Sequence, residues 1–186
     1  KPNDATGYLL RGDAYSKSKQ YQQAVKDLDR AIGLDPDLAY AFRSRGNAYT
    51  GLGKIPQAVD DYSEAIRLKP DYAEAYYYRG IAYVALNRHK LAIEDFNTAI
   101  RLRPDYAYAY TGRGLSYTKE KRYQLAIQDF NKAIRLIPND SVPYNGLGYL
   151  YTVSGDQQSA CDAFAKACER GSCEEYQDAK SEGRCK

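Results

Sequence analysis

The chain has 186 residues, of which only 33 are Leu, Ile, Val or Phe, against 20 tyrosines and no Trp or Met. That aliphatic share falls just below the level at which disorder is expected, but a net charge of only +3 and the tyrosines oppose disorder, so the core must be built from tyrosine and alanine. With 27 Lys and Arg against 24 Asp and Glu there is no electrostatic case for nucleic acid or an anionic membrane, and no apolar run approaches the roughly 18 residues of a membrane-crossing helix.

Taken in chain order, the sequence repeats itself. Pro2, Pro36, Pro70, Pro104 and Pro138 lie 34 residues apart, and Gly12, Gly46, Gly80, Gly114 and Gly148 keep the same period. Tyr15, Tyr49, Tyr83, Tyr117 and Tyr151 follow each glycine by three. Further on come Ala24, Ala58, Ala92, Ala126 and Ala160, then the large apolar column Leu28, Tyr62, Phe96, Phe130 and Phe164. Residues 1–4 are in phase with the close of a repeat, which predicts that the chain is a piece of a longer protein. Repeats are then expected at 5–38, 39–72, 73–106, 107–140 and, in divergent form, 141–172. Within each, spacings such as Tyr76, Gly80 and Tyr83, or Ala92, Phe96 and Ala99, put apolar residues on one face of each of two helices. A turn around Leu86-Asn87-Arg88 separates them, and proline stops the second. Each unit is therefore a helix hairpin that buries a thin core only by stacking on its neighbours.

A unit such as Ala73–Tyr106, with Tyr76, Arg79-Gly80, Tyr83, Ala92, Phe96, Ala99 and Pro104, closely resembles the tetratricopeptide repeat family. The resemblance covers Ala5 to about Ser172, with Tyr or Phe where the family usually carries Trp. It implies an all-α fold: a right-handed α-solenoid, or superhelix, of antiparallel helix pairs, which the polar residues after 172 are read as closing with a C-terminal capping helix. It also implies a concave groove lined by the first helix of each pair, and a role in protein binding rather than catalysis.

Residues 173–186 read as that capping helix with a cysteine-containing tail. All four cysteines fall near it: Cys161, Cys168, Cys173 and Cys185. If the cap runs antiparallel to the last repeat helix, Cys168 meets Cys173 and Cys161 meets Cys185, which predicts two disulfides. Free thiols in a reducing cytosol, or a four-thiolate zinc site, are the alternatives; no C-x-x-C pair supports zinc. The cluster favours an oxidising compartment, periplasmic or extracellular, over the cytoplasm.

No enzyme, cofactor or metal is expected. The single histidine, His89, keeps a packing register and has no nucleophile partner, and the glycines sit one per repeat rather than in a phosphate loop. The columns Arg11, Arg45, Arg79, Arg113 and Asp27, Asp61, Asp95, Asp129 end together, at Leu147 and Ala163, which points to an ion pair inside each hairpin. By the family's geometry the groove is lined by Tyr40, Arg43, Asn47, Tyr77, Tyr78, Ile81, Tyr108, Leu115 and Tyr149, with Thr111 and Thr118 beside them. Arg43 and Asn47 match the start of the carboxylate-gripping pattern of chaperone-binding members, but Tyr78, Tyr108 and Gly112 stand where that pattern needs Asn and basic residues. A scaffold that holds a partner's peptide segment by apolar anchors is the leading expectation. Self-association through the N-terminal hairpin (Tyr8, Tyr15, Leu28) is the alternative. RNA binding by helical repeats is a further one, disfavoured by the lack of a basic stripe.

Overall fold

The protein is described by a computed structural model covering residues 4–185. Its helices fall into two compact units, one ending at Leu102 and the other beginning at Arg103. The first unit holds three helix hairpins: α1 (Ala5–Lys17) with α2 (Tyr21–Leu34), α3 (Ala39–Gly51) with α4 (Ile55–Leu68), and α5 (Ala73–Ala85) with α6 (His89–Leu102). The second holds two more, α7 (Ala107–Lys119) with α8 (Tyr123–Leu136) and α9 (Val142–Ser154) with α10 (Gln157–Cys168), and ends in the short helix α11 (Glu174–Ser181). Among the described residues there is no strand.

Every hairpin turn is closed in the same way. Lys19, Gly53, Asn87, Lys121 and Gly155 all take the left-handed conformation, with φ between 56° and 87°. The next residue's N–H then reaches back to the carbonyl of the tyrosine column: Gln20 to Tyr15, Lys54 to Tyr49, Arg88 to Tyr83, Arg122 to Tyr117 and Asp156 to Tyr151. This C-terminal cap satisfies carbonyls that the helix itself leaves unpaired. Glycine and asparagine suit the site; lysine tolerates it twice at a steric cost.

The glycine column sets how closely the two helices of a hairpin approach. A Cβ on Gly46 would lie 2.6 Å from the ring of Tyr62, on Gly80 2.7 Å from Phe96, and on Gly114 2.9 Å from Phe130. Those three rings are fully buried, as are the alanines Ala24, Ala58, Ala92 and Ala126 around them. One buried aromatic ring in each hairpin after the first, where Leu28 takes the place, contributes roughly 1.5–3 kcal/mol by burial and replaces the clustered aliphatics of an ordinary core.

On another face each arginine clamps the aspartate sixteen residues on. Arg45 Nε and Nη2 donate to Asp61 at 2.8 and 2.7 Å, Arg79 to Asp95 at 2.8 and 2.8 Å, and Arg113 to Asp129 at 2.8 and 2.7 Å. Arg11 holds Asp27 in the same two-pronged way. The aspartates are about 5 % exposed and Arg45, Arg79 and Arg113 about a fifth, so those three are largely desolvated pairs with two charge-assisted bonds each, whereas the Arg11 side chain is half exposed. The guanidinium also bridges backwards, from Arg45 to Asp29 and from Arg79 to Ser63 Oγ, tying each of these hairpins to the one before it.

At the end of the second unit α11 lies against α10. Disulfides join Cys161 to Cys185 and Cys168 to Cys173, and Ala179 in α11 is completely buried. Among the described residues no cysteine is free, and no group of His, Cys, Asp and Glu has the arrangement of a metal site.

Candidate functional site

In the first unit α3 and α5 carry Tyr40, Arg43, Asn47, Tyr77, Tyr78 and Ile81. Tyr72, at the N-cap of α5, joins the first pair. Its ring packs edge-on against Tyr40 at 5.1 Å, and its hydroxyl accepts a 2.9 Å hydrogen bond from Arg43 Nε. Tyr72 is only 5 % exposed, and burial pushes its phenol above the ordinary tyrosine range. Lys69 Nζ completes the group: it donates to the Tyr40 hydroxyl at 2.7 Å and lies 4.9 Å from the Tyr40 ring. Tyr40 itself stays 43 % exposed. A large aromatic face is thereby held in one orientation while remaining open to solvent, which lowers the entropy cost of using it.

The second cluster surrounds Tyr62. Its hydroxyl donates to Asn47 Oδ1 at 2.8 Å and lies 3.1 Å from Thr50 Oγ1. Tyr78 stacks on the Tyr62 ring at 5.9 Å, and Tyr77 meets Tyr78 edge-on at 5.1 Å while leaning on Phe96 at 6.1 Å. Tyr77 and Tyr78 are half-buried, so each spends part of its ring on the hairpins and presents the rest. Ile81, one turn on, is also half-buried.

In the second unit Tyr108 on α7 is the most exposed of the nine residues, at 51 %. Leu115 is half-buried, and Tyr149 on α9 is held by Lys119 Nζ, which donates to its hydroxyl at 2.8 Å. Thr111 and Thr118 do not line the surface as expected. Both are buried, because glycine or alanine neighbours let α7 pack closely; their hydroxyls donate to the carbonyls of Ala107 and Gly114. His89 opens α6 with Nδ1 buried and without a hydrogen bond, in keeping with a packing role.

Sequence reasoning missed Tyr72, Lys69 and Tyr62 as parts of this surface. Their columns read as turn or core positions, and their hydroxyl and ammonium groups act on the surface by bonding Arg43, Asn47 and Tyr40. The surface offers phenols, one guanidinium, two ammonium groups, one carboxamide and apolar side chains. Such a surface can stack on and hydrogen-bond an extended chain.

Comparison with known proteins agrees with this architecture. The family described as TPR repeat matches residues 12–53 and 46–87, and that described as tetratricopeptide repeat matches residues 80–141. A crystal structure of MamA is 27 % identical, with 91 % of this chain and 96 % of that one covered at a TM-score of 0.75. TTC0263, a thermophilic TPR protein of Thermus thermophilus, is 24 % identical over 90 % and 91 % of the two chains, with a TM-score of 0.76. YrrB, described as a TPR protein with an unusual peptide-binding site, is 22 % identical over 92 % and 88 %, with a TM-score of 0.73. A search of curated protein sequences finds no match. With matches spanning residues 12–141 of 186 and every hairpin built on the same phased columns, the chain belongs to the tetratricopeptide repeat family.

Proposed function

We propose that the chain is a protein-interaction scaffold that holds a segment of a partner protein on its aromatic first-helix face. The anchors in the first unit are Tyr40, Arg43, Asn47, Tyr77, Tyr78 and Ile81, and those in the second are Tyr108, Leu115 and Tyr149. One observation carries this reading. Tyr40 is about 43 % exposed yet fixed from two sides, by the Tyr72 ring and by Lys69, so a large apolar face is ordered without being covered. Tyrosine in that state gives contact area and a hydroxyl at low entropic cost, as at the centres of protein interfaces. The same face disfavours RNA as occupant, since its cations are already spent on tyrosine hydroxyls. The two disulfides fit an oxidising compartment.

The test is affinity capture with Tyr40→Ala combined with Tyr108→Ala, chosen because both rings are exposed and their loss leaves the buried columns intact. Partners captured by the wild type are expected to be lost from the double variant while its circular dichroism and melting stay unchanged. A partner retained at full strength by a folded double variant overturns the reading.

A further inference from the structure

The fifth hairpin carries a cavity of about 490 Å³, within the range of roughly 300–1,000 Å³ usual for ligand sites. Its position follows from the repeat. In the second and third hairpins an arginine fills the space between the glycine-bearing helix, its partner helix and the preceding hairpin. Arg45 does so between the rings of Phe42 and Tyr49, at 5.5 and 5.9 Å, while bonded to Asp61 and Asp29. Arg79 lies between Tyr76 and Tyr83 at 5.7 and 5.9 Å, and in the fourth hairpin Arg113 lies between Tyr110 and Tyr117 at 5.5 and 5.7 Å. In the fifth hairpin the arginine is Leu147 and its aspartate is Ala163, yet both rings remain, as Tyr144 and Tyr151. The residue equivalent to Asp29 and Ser63, the bridge to the preceding hairpin, is Asn131. All five of these positions line the cavity. Where the pair is truncated, the cavity keeps the aromatic walls that flank the arginine in the other hairpins.

The lining carries two cations, Lys166 and Arg170, and two carboxylates, Asp162 and Glu169, so the room for a cationic occupant is at the end where Asp162 lies. Arg170 already covers the Tyr144 ring at 4.2 Å and is tied down by the carbonyl of Pro138 at 2.9 Å. The Tyr151 end is left with Asn131 and Ser159, and with Asp162, whose one carboxylate oxygen accepts from Gln158. This berth is distinct from the groove: Leu147 sits about 200° around α9 from Tyr149.

We propose that this cavity is an arginine socket. It takes the side chain of an arginine supplied by another polypeptide, stacked on Tyr151 with Asn131 and Asp162 as hydrogen-bond acceptors. The intermolecular contact reproduces the one that the other hairpins make within the chain, and a planar guanidinium suits both the ring face and the paired acceptors better than an ammonium does.

The test uses the oxidised full chain and N-acetyl-arginine methylamide as probe, followed by amide NMR. Shifts are expected at Asn131, Leu147, Tyr151 and Asp162. The citrulline analogue, which is neutral and of nearly the same shape, should bind at least roughly fivefold more weakly. Leu147→Arg with Ala163→Asp rebuilds the internal pair and fills the socket, so probe shifts should vanish. Tyr151→Leu keeps the cavity but removes the ring, and should weaken the arginine probe by about fivefold if the first variant folds poorly. Equal binding of the two probes, unchanged binding to the filled variant, or no shift at these amides with tens of millimolar probe overturns the proposal. The Tyr40 and Tyr108 substitutions do not touch this cavity, so the socket and the groove can fail separately.

Discussion

Tyr62 on α4 donates its hydroxyl to Oδ1 of Asn47 on α3 at 2.8 Å, so a residue whose ring is the buried centre of the hairpin also fixes a residue of the exposed face. The equivalent residues Leu28, Phe96, Phe130 and Phe164 have no hydroxyl and cannot do this. Burial pushes the Tyr62 phenol well above its ordinary range, so it stays a neutral donor throughout the accessible pH range. Tyr62→Phe keeps the ring that Gly46 packs on and removes only the hydrogen bonds. The expected cost is about 0.5–1.5 kcal/mol in urea unfolding, with the Asn47 side-chain amide signals broadened by NMR. An unchanged Asn47 amide in the variant would show that α3 alone orders it.

The Arg–Asp clamps predict an uneven response to acid. Hydrogen bonds from Arg11 hold the Asp27 carboxyl below the ordinary carboxylate range. For Asp61, Asp95 and Asp129 burial is the larger effect and pushes the carboxyl above that range, despite the bonds from Arg45, Arg79 and Arg113. Asp27 is equally covered at 4 % exposure, but among the described residues no hairpin precedes its own, so less protein surrounds it. The signs therefore oppose. Asp27 contributes stability above the ordinary value of about 3.9, and that contribution is lost as pH falls through its depressed native value. For the other three the native state binds the proton more tightly, so their charged forms oppose folding near neutrality and that penalty is relieved as pH falls toward about 3.9. Carboxyl carbon NMR should show Asp61, Asp95 and Asp129 protonating before Asp27. The reverse order would mean that the clamps outweigh desolvation in every hairpin.

Two glycines in helices should respond to alanine with opposite signs. A Cβ on Gly80 would lie 2.7 Å from Phe96, a ring with no exposed surface and no room to retreat. Gly80→Ala should cost about 1–3 kcal/mol in denaturant unfolding, more than alanine's helix propensity returns. Gly33, near the end of α2, has nothing within 4 Å of a built Cβ. Gly33→Ala should be neutral or stabilising by up to about 1 kcal/mol. A neutral Gly80→Ala would show that the hairpin can open around a methyl group.

The hairpins were legible because the packing columns recur in phase and each signals itself five times over. The surface was legible only in part. Tyr40, Tyr77, Tyr78, Tyr108 and Tyr149 are the tyrosines that no packing column demands, yet Tyr78 spends one face on Tyr62 and Tyr40 part of its ring on Tyr72. The Arg43–Tyr72 bond joins residues 29 apart in different hairpins, and no local periodicity encodes which hydroxyl a long side chain will reach. Thr111 and Thr118 fall on the expected helix face but turn their hydroxyls to backbone carbonyls of their own helix. Loss of the arginine at Leu147 together with the aspartate at Ala163 was visible as a broken column. The flanking rings Tyr144 and Tyr151 also keep phase in the sequence, but that the space between them stays open is visible only in three dimensions.

Reduction should release the cap before it disturbs the repeats. Helix α11 spans eight residues, too few to hold its shape alone in water. It is fixed by the burial of Ala179 and by the link from Cys185 to Cys161, which are 24 residues apart. A loop of that length corresponds to about 3.5 kcal/mol of chain entropy removed from the open state, and the five-residue separation of Cys168 and Cys173 to about 2 kcal/mol. With reductant, hydrogen exchange at Ala179 should accelerate by about two orders of magnitude or more, while the fully buried alanines of the first unit keep their protection. Paired substitution of Cys161 and Cys185 by serine should reproduce most of that change, and the Cys168 and Cys173 pair less of it. Intact protection of Ala179 in the reduced chain would mean that the buried contact alone holds the cap.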